Sequence, residues 1–395
     1  MIPATPAIRF HLAGVSSPLK ESDPDWCSPI PLDPQSALGK SAPEPLIRVS
    51  YGDYFTGIRL FLERIGDLSL FFSPPVEGKI PHPVPILGID VFEEKHGAFY
   101  HPARVEIQTP EKTATLALNM AVSETGNQFV EGEFETLHSL RNDYPFPFLP
   151  KVFHFDRVCV GGRTMGMFLG EWFAGYCEFH WAAREAGGQP ELVVWDPELG
   201  RRALTPWQTA MVFRQAAMIL SCYYHPLTFE HIAYWHHAAG DFVLKTTDFR
   251  IDVRLVSARR YGPLIKSGGT SREPAIDREK IIDALLLFFT QLCTRMRLDR
   301  LDGIGPLILA PGAILESVMI GFFEGLSLAA QIHALPDGFA DWAKSFIIET
   351  LPHQVDALLE EVIRSYPEDC QERGLLGSAL PNHRQELIQA AGRLT

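Results

Sequence analysis

Between Gly88 and Trp172 the apolar residues alternate in short runs, and helical spacing interrupts them once; this order constrains the fold more than any other feature of the chain. GIDVFEEKHGAFYHPARVEIQT reads as two strands joined around Lys95-His96-Gly97, a hairpin signal, and TATLALNMAVS reads as a third strand. In NQFVEGEFETLHSLRN, Phe129, Phe134, Leu137 and Leu140 recur on one face of a helix. PKVFHFDRVCV and RTMGMFLGEWF form another antiparallel pair, with Gly161-Gly162 supplying the turn. Strand, strand, strand, helix, strand, strand predicts a small antiparallel β unit carrying a single helix.

Past Trp172 the spacing turns helical. PWQTAMVFRQAAMILSCYY opens on Thr205 as a cap and Pro206 in the first turn. DFVLK and DVRLVSARR are two short strands. DREKIIDALLLFFTQLCTRMRLDRL, ILESVMIGFFEGLSLAAQI, FADWAKSFIIETL and VDALLEEVIRSY all carry helical spacing. The expected class is α+β, with a larger helical part following the β part. Nearly half of the 31 prolines lie before residue 86. Proline fixes φ and removes a backbone donor, so residues 1–87 are expected to hold an extended, loosely ordered arm and an accessory segment. Residues 46–72 fit either an extra strand or a cover for the β unit. The expected divisions are 1–87, 88–172 for the β lobe, 173–335 for the helical lobe, and 336–395 for accessory helices.

Composition narrows the function classes. The chain has 395 residues, 46% of them hydrophobic and 21% charged, enough to bury a core without disulfide or metal staples. Its 35 Lys and Arg against 48 Asp and Glu leave a net charge of −13, which argues against a broad nucleic-acid surface. The six cysteines, Cys27, Cys159, Cys177, Cys222, Cys293 and Cys370, include no CxxC pair and read as small hydrophobes in a reducing compartment. The start lacks a signal-peptide pattern. The most apolar stretches, Ile281–Thr290 and Gly303–Leu335, are short or interrupted by Glu316 and Glu324. The expectation is a cytoplasmic protein with neither a membrane nor a nucleic-acid partner.

Several positions carry candidate chemistry. The first hairpin, EKHGAFYHPARVEI, contains Gly97, and the third strand, LALNMAV, contains Asn119. The helix segment EFETLHSL contains Glu133. TFEHIAYWHHAAGDFVLK sets His236 five residues before Asp241, ahead of an apolar strand; VRLVSARRYGP offers Ser257, Arg259 and Arg260 after the next. FLGEWFAGYCEFHWA concentrates Trp172, Phe173, Tyr176, Phe179 and Trp181 where the β part gives way to the helices.

The element order and these positions resemble the protein-kinase-like superfamily, particularly its aminoglycoside- and choline-phosphotransferase-like branch, over about residues 88–335. The resemblance implies a bilobal fold and assigns each position a role. Gly97 is what remains of the glycine-rich hairpin over the ATP phosphates. Asn119 stands at the phosphate-binding Lys position, and Glu133 at its helix partner, where the alternative is a solvated helix residue. Gly170, Glu171 and Trp172 fall where hinge backbone contacts adenine; the nearby aromatics otherwise form packed core. His236 takes the place of the catalytic base, and Asp241 that of the metal-binding Asn. Ser257 replaces the second metal carboxylate. Lys245, Arg259 and Arg260 are the cations available to a phosphate. The implied function is a pseudokinase or divergent nucleotide-binding scaffold with weak or no phosphotransfer. Its ligands would be ATP with Mg²⁺ and a protein partner; if active, it is a divergent ATP-dependent phosphotransferase.

Other classes compete for the same residues. His225, His231, His236, His237 and Asp241 form a dense set whose imidazoles and carboxylate suit a zinc or iron enzyme, although no H-E-x-x-H motif is present. A non-catalytic interaction module would use the C-terminal helices or the proline-rich arm. No G-x-S-x-G elbow occurs, and the loop Lys266 to Arg272 lacks phosphate-loop spacing and reads as a flexible connector.

Overall fold

The computed structural model describes residues 6–31, 49–71, 84–94, 100–184, 188–197, 199–235, 240–247, 250–265 and 278–394. The fold is α+β, and the chain divides into two compact units, Met1–Ser139 with Pro150–Ala174 and Leu140–Leu149 with Gly175–Thr395.

The first unit contains β1 (Ile8–His11), α1 (Tyr51–Ile65), β2 (Gly88–Glu93), β3 (His101–Gln108), β4 (Thr113–Ala121), most of α2 (Glu124–Asp143), β5 (Val152–Val160) and β6 (Arg163–Glu171). The strands form a six-stranded sheet in the order β1-β2-β3-β4-β6-β5, antiparallel except for β1 against β2. Alternation along β3 sends Ala103, Val105 and Ile107 into the core. There they meet Tyr54, Phe55, Ile58, Phe61 and Leu62 of α1, with Met120, Met165 and Met167 filling between. A capping box starts α1: Asp53 N donates to Ser50 Oγ at 3.0 Å, and Ser50 N to the Asp53 carboxylate at 3.1 Å. On β6, Gly166 N donates to Asn127 Oδ1 of α2 at 2.6 Å, and Asn127 Nδ2 donates to Thr164 O at 2.9 Å.

The described parts of the N-terminal stretch correct the expectation of a loose arm. Strand β1 is part of the sheet, and α1 supplies its core. Arg9 donates to both oxygens of Asp90 at 2.6 and 2.5 Å, His11 Nε2 lies 2.9 Å from the same carboxylate, and Gln108 donates to it at 2.7 Å. Trp26 packs its ring near Phe10 and Phe55. Proline frequency reports local stiffness; it carries no information about a sheet partner some 80 residues away. Residues 32–48 and 72–83 lie outside the described set.

The second unit opens with β7 (Glu178–Ala182), β8 (Glu191–Asp196) and β9 (Gly200–Ala203), a three-stranded antiparallel sheet. Then come α3 (Pro206–Cys222), β10 (Glu230–Ile232), β11 (Phe242–Thr247), β12 (Arg250–Leu255), β13 (Tyr261–Pro263) and α4 (Arg278–Arg295). A hairpin of β14 (Leu298–Arg300) and β15 (Leu307–Leu309) precedes α5 (Leu315–Ile332), α6 (Phe339–Arg364) and α7 (Gln371–Gly392). Helices α3 and α5 touch backbone to backbone, because Gly321 and Gly325 leave no space for a methyl group against the carbonyls of Arg214 and Met218. The helical stretch Gly312–Ile332 is apolar and long enough to cross a bilayer by length and composition, Glu316 and Glu324 notwithstanding. Here Val318, Met319, Phe322, Leu326 and Ala329 are buried, and Glu324 pairs with Arg214 of α3. FADWAKSFIIETL and VDALLEEVIRSY, separate in the sequence pattern, form one helix that runs through Pro352. Helix α7 docks through His383, whose ring nitrogens lie 3.0 Å from Thr294 Oγ1 and 2.7 Å from Arg297.

Candidate functional site

Two short ribbons frame the loops that carry the candidate residues of the second unit. Strand β10 pairs with β13, and β11 with β12. The chain leaves β10 at Ala233 to reach β11, and leaves β12 at Val256 to reach β13, and the described ends of the two connections lie side by side. Two backbone hydrogen bonds hold them together: Ala233 N to Arg260 O at 2.9 Å, and Val256 N to Asp241 O at 2.7 Å.

This juxtaposition brings Asp241 to Arg259. Both terminal guanidinium nitrogens of Arg259 donate to the Asp241 carboxylate, at 2.8 and 2.6 Å. The two side chains are 2% and 15% exposed for Asp241 and Arg259, so little water competes for the pair. Ser257 is buried in the same loop. From α4, Arg295 donates to the carbonyls of Ala233 at 2.7 Å and Trp235 at 2.8 Å, with its guanidinium 4.5 Å from the centre of the Trp235 ring. Arg260 lies over the exposed Tyr234 ring at 5.7 Å. Lys245 is on the exposed side of β11, its ammonium 6.0 Å from the Tyr176 ring; the Tyr176 hydroxyl donates to Asp252 at 2.8 Å.

The imidazoles go elsewhere. His225 lies against His333 with centroids 3.8 Å apart and the rings tilted by 35°, and its Nδ1 accepts from Leu227 N and Thr228 N. His333 in turn lies 3.2 Å from the Tyr144 hydroxyl, which is 2.7 Å from that of Tyr261. Burial holds His225 below its ordinary pKa and pushes His333 down to about 4. His231 is buried edge-on to Phe288 and is likewise pushed down to about 4, chiefly by burial and then by the charge of Arg295. Among the described residues, no group of three His, Cys, Asp or Glu side chains gathers to hold a metal ion. His225, His231 and Asp241 therefore do not form the cluster that their sequence density suggests. His236, His237, Gly97 and the loop from Lys266 to Arg272 lie outside the described residues.

The first unit carries the other candidates. Asn119 is half-buried on β4, in register with Pro102 of β3 and Phe168 of β6. Glu133 is 1% exposed, which corrects the solvated alternative for it. At the end of β6, Glu171 accepts from Lys151 N at 3.1 Å, and Trp172 is half-buried with the Arg104 guanidinium 6.0 Å from its ring. The aromatic concentration that follows splits. Trp172 belongs to the first unit, whereas Phe179 and Trp181 are buried in the second, Trp181 stacked on Phe213 of α3 at 5.8 Å.

Sequence reasoning placed Asp241 and Arg259 in one neighbourhood but missed their pairing, and it missed Arg295 altogether. No local signal marks either, since a guanidinium at a loop or helix end has no periodicity. No protein-family model matches the chain, and no curated protein matches it.

Proposed function

We propose that the chain is a kinase-like, pseudokinase-type scaffold that binds a protein partner and does not carry out metal-dependent phosphotransfer. Two features support the kinase-like part: the helix between the third and fourth strands of the β2–β6 array, and the paired ribbons framing the two loops of the second unit. The Asp241–Arg259 pair carries the loss of metal chemistry. In the family the sequence resembles, the Asp241 position binds Mg²⁺; here both of its carboxylate oxygens accept from Arg259. A divalent ion would have to displace a buried bidentate guanidinium, and the residue at the expected position of the second carboxylate is Ser257, which carries no charge. This donor set does not fit Mg²⁺.

Phosphoryl transfer rests on neutralising charge around the transferred group. Asn119 and Ser257 lack the required charges, and Asp241 is already neutralised. A single preorganised electrostatic contact is worth on the order of 3 kcal/mol to the transition state, so the combined loss removes most of the usual rate enhancement. Any nucleotide that binds does so without a divalent ion.

Thermal-shift measurements with ATP, ATP and Mg²⁺, ATP and Mn²⁺, and each metal alone test this reading, together with an assay of ATP turnover. A ligand present at 100 times its dissociation constant stabilises the fold by about 2.7 kcal/mol, so metal-dependent binding is visible if it exists. The expected result is that neither metal changes the melting temperature or produces turnover. Mg²⁺-dependent turnover would overturn the proposal.

A further inference from the structure

Two half-buried imidazoles meet where α5 ends against the α3–β10 turn: His225 and His333, with ring centroids 3.8 Å apart. The turn is built around the first of them. Leu227 N and Thr228 N both donate to His225 Nδ1, at 3.2 and 3.3 Å. A ring nitrogen that accepts hydrogen bonds carries no proton, so the contacts of this turn require a neutral His225. Protonation at Nδ1 would turn the acceptor into a donor facing two donors, and would set a charge beside the second imidazole.

The backbone next to each ring is strained. Among the described residues, three that are not glycine have positive φ, and two of the three adjoin this pair. Phe229, with φ 62°, closes the turn: its N–H donates to His225 O at 2.8 Å, and its carbonyl accepts from Leu264 N at 2.9 Å. Ala334, with φ 48°, follows His333 and ends α5 in a position that glycine usually takes, with Leu335 N donating to Ala330 O at 2.9 Å. Left-handed backbone at such residues persists only where the surrounding contacts hold it.

We propose that the His225–His333 pair is a proton-sensitive fastener: neutral imidazoles hold the α3–β10 turn against the end of α5, and protonation releases the two segments from each other.

Burial holds His225 below its ordinary value against the charge of Glu230, and burial together with His225 holds His333 at about 4. Glu230 of β10 accepts from Thr228 Oγ1 at 2.8 Å. The other titratable and charged groups around the pair are Cys222 of α3, Arg141 and Asp143 of α2, Tyr144, and Tyr261 of β13. The Tyr144 hydroxyl lies 3.2 Å from His333 Nε2 and 2.7 Å from the Tyr261 hydroxyl. His231, also on β10, faces Phe288 of α4 instead. Because the fastened state favours neutral rings, it is intact above the ordinary value of 6.5 and weakens as pH falls from there towards the lower folded values. Each imidazole that must stay neutral adds about tenfold per pH unit to the release equilibrium over that range. The proposal rests on contacts within the second unit and is independent of the kinase-like reading.

Hydrogen exchange of the full chain, followed by mass spectrometry at pH 7 and pH 5 and corrected for intrinsic exchange rates, tests the fastener. The expected result is that peptides covering residues 222–230 and 329–336 lose protection by about tenfold or more at pH 5, while those from the middle of α4 keep theirs. His225→Gln with His333→Gln, neutral at both positions, should remove this loss while circular dichroism shows an intact fold. His333→Gln alone is the second variant and should shrink the loss by about threefold or more. His231→Gln should leave it in place. Equal protection at the two pH values in the wild type, a loss shared equally by α4, or an undiminished loss in His333→Gln would overturn the proposal.

Discussion

Arg259 grips Asp241 with both terminal nitrogens, at 2.8 and 2.6 Å, in a site where the carboxylate is 2% exposed. Neither residue is a neighbour of the other in sequence; the β11–β12 ribbon folds them together. The contact occupies both oxygens of the Asp241 carboxylate.

Breaking this pair from one side should be costly. Arg259→Ala leaves Asp241 buried without its guanidinium, and Asp241→Ala leaves Arg259 likewise; each is expected to destabilise by about 3–5 kcal/mol. Replacing both at once, as Asp241→Leu with Arg259→Met, removes the stranded charge and should recover most of that loss. Urea unfolding of the four proteins measures the cycle. Additive losses in the double variant would show that the two side chains do not act as a unit.

Asp90 ties β1 to the sheet and should make the first unit acid-sensitive. Its hydrogen bonds from Arg9, assisted by His11 and opposed by burial, hold its carboxyl below the ordinary value of 3.8. A carboxylate with a depressed pKa contributes stability above the unfolded value, and loses it as pH falls through the lower folded value. Asp90→Asn is therefore expected to cost about 1–2 kcal/mol at pH 7, the low end because Arg9 is 43% exposed. That cost should begin to shrink below about 3.8, where the unfolded chain takes up the proton, and fade as pH falls through the lower folded value. Denaturant unfolding at pH 7, 5 and 3 gives the comparison, and a constant difference across the series would contradict the assignment.

Helices α3 and α5 approach so closely at Gly325 that any side chain there meets the α3 backbone. Gly325→Ala forces the helices apart and should destabilise by about 1–3 kcal/mol or more, despite the better helix propensity of alanine. Gly374→Ala, on α7 where a Cβ meets nothing within 4 Å, is the matched control and should be neutral or slightly stabilising. Thermal unfolding of both variants against the wild type separates packing from propensity.

Local chemistry in the sequence determined much of the fold. Alternation between Gly88 and Trp172 is enough to place β2 to β6 and the helix among them, and Gly161-Gly162, both at positive φ, mark the β5–β6 turn. Thr205 and Pro206 start α3 as their chemistry requires. Each of these signals works over a few residues, where periodicity and turn preference act. The tertiary structure alone decided the rest: β1 found a parallel partner in β2, α1 became the cover of the sheet, and His225 and His231 parted from Asp241. It also gave Asp241 to Arg259 and set His225 against His333. The sequence could nominate Asp241 and Arg259 separately, because residue type limits what a side chain can do. It could not say that they neutralise each other, because that depends on which distant segments pack together and how much water they exclude.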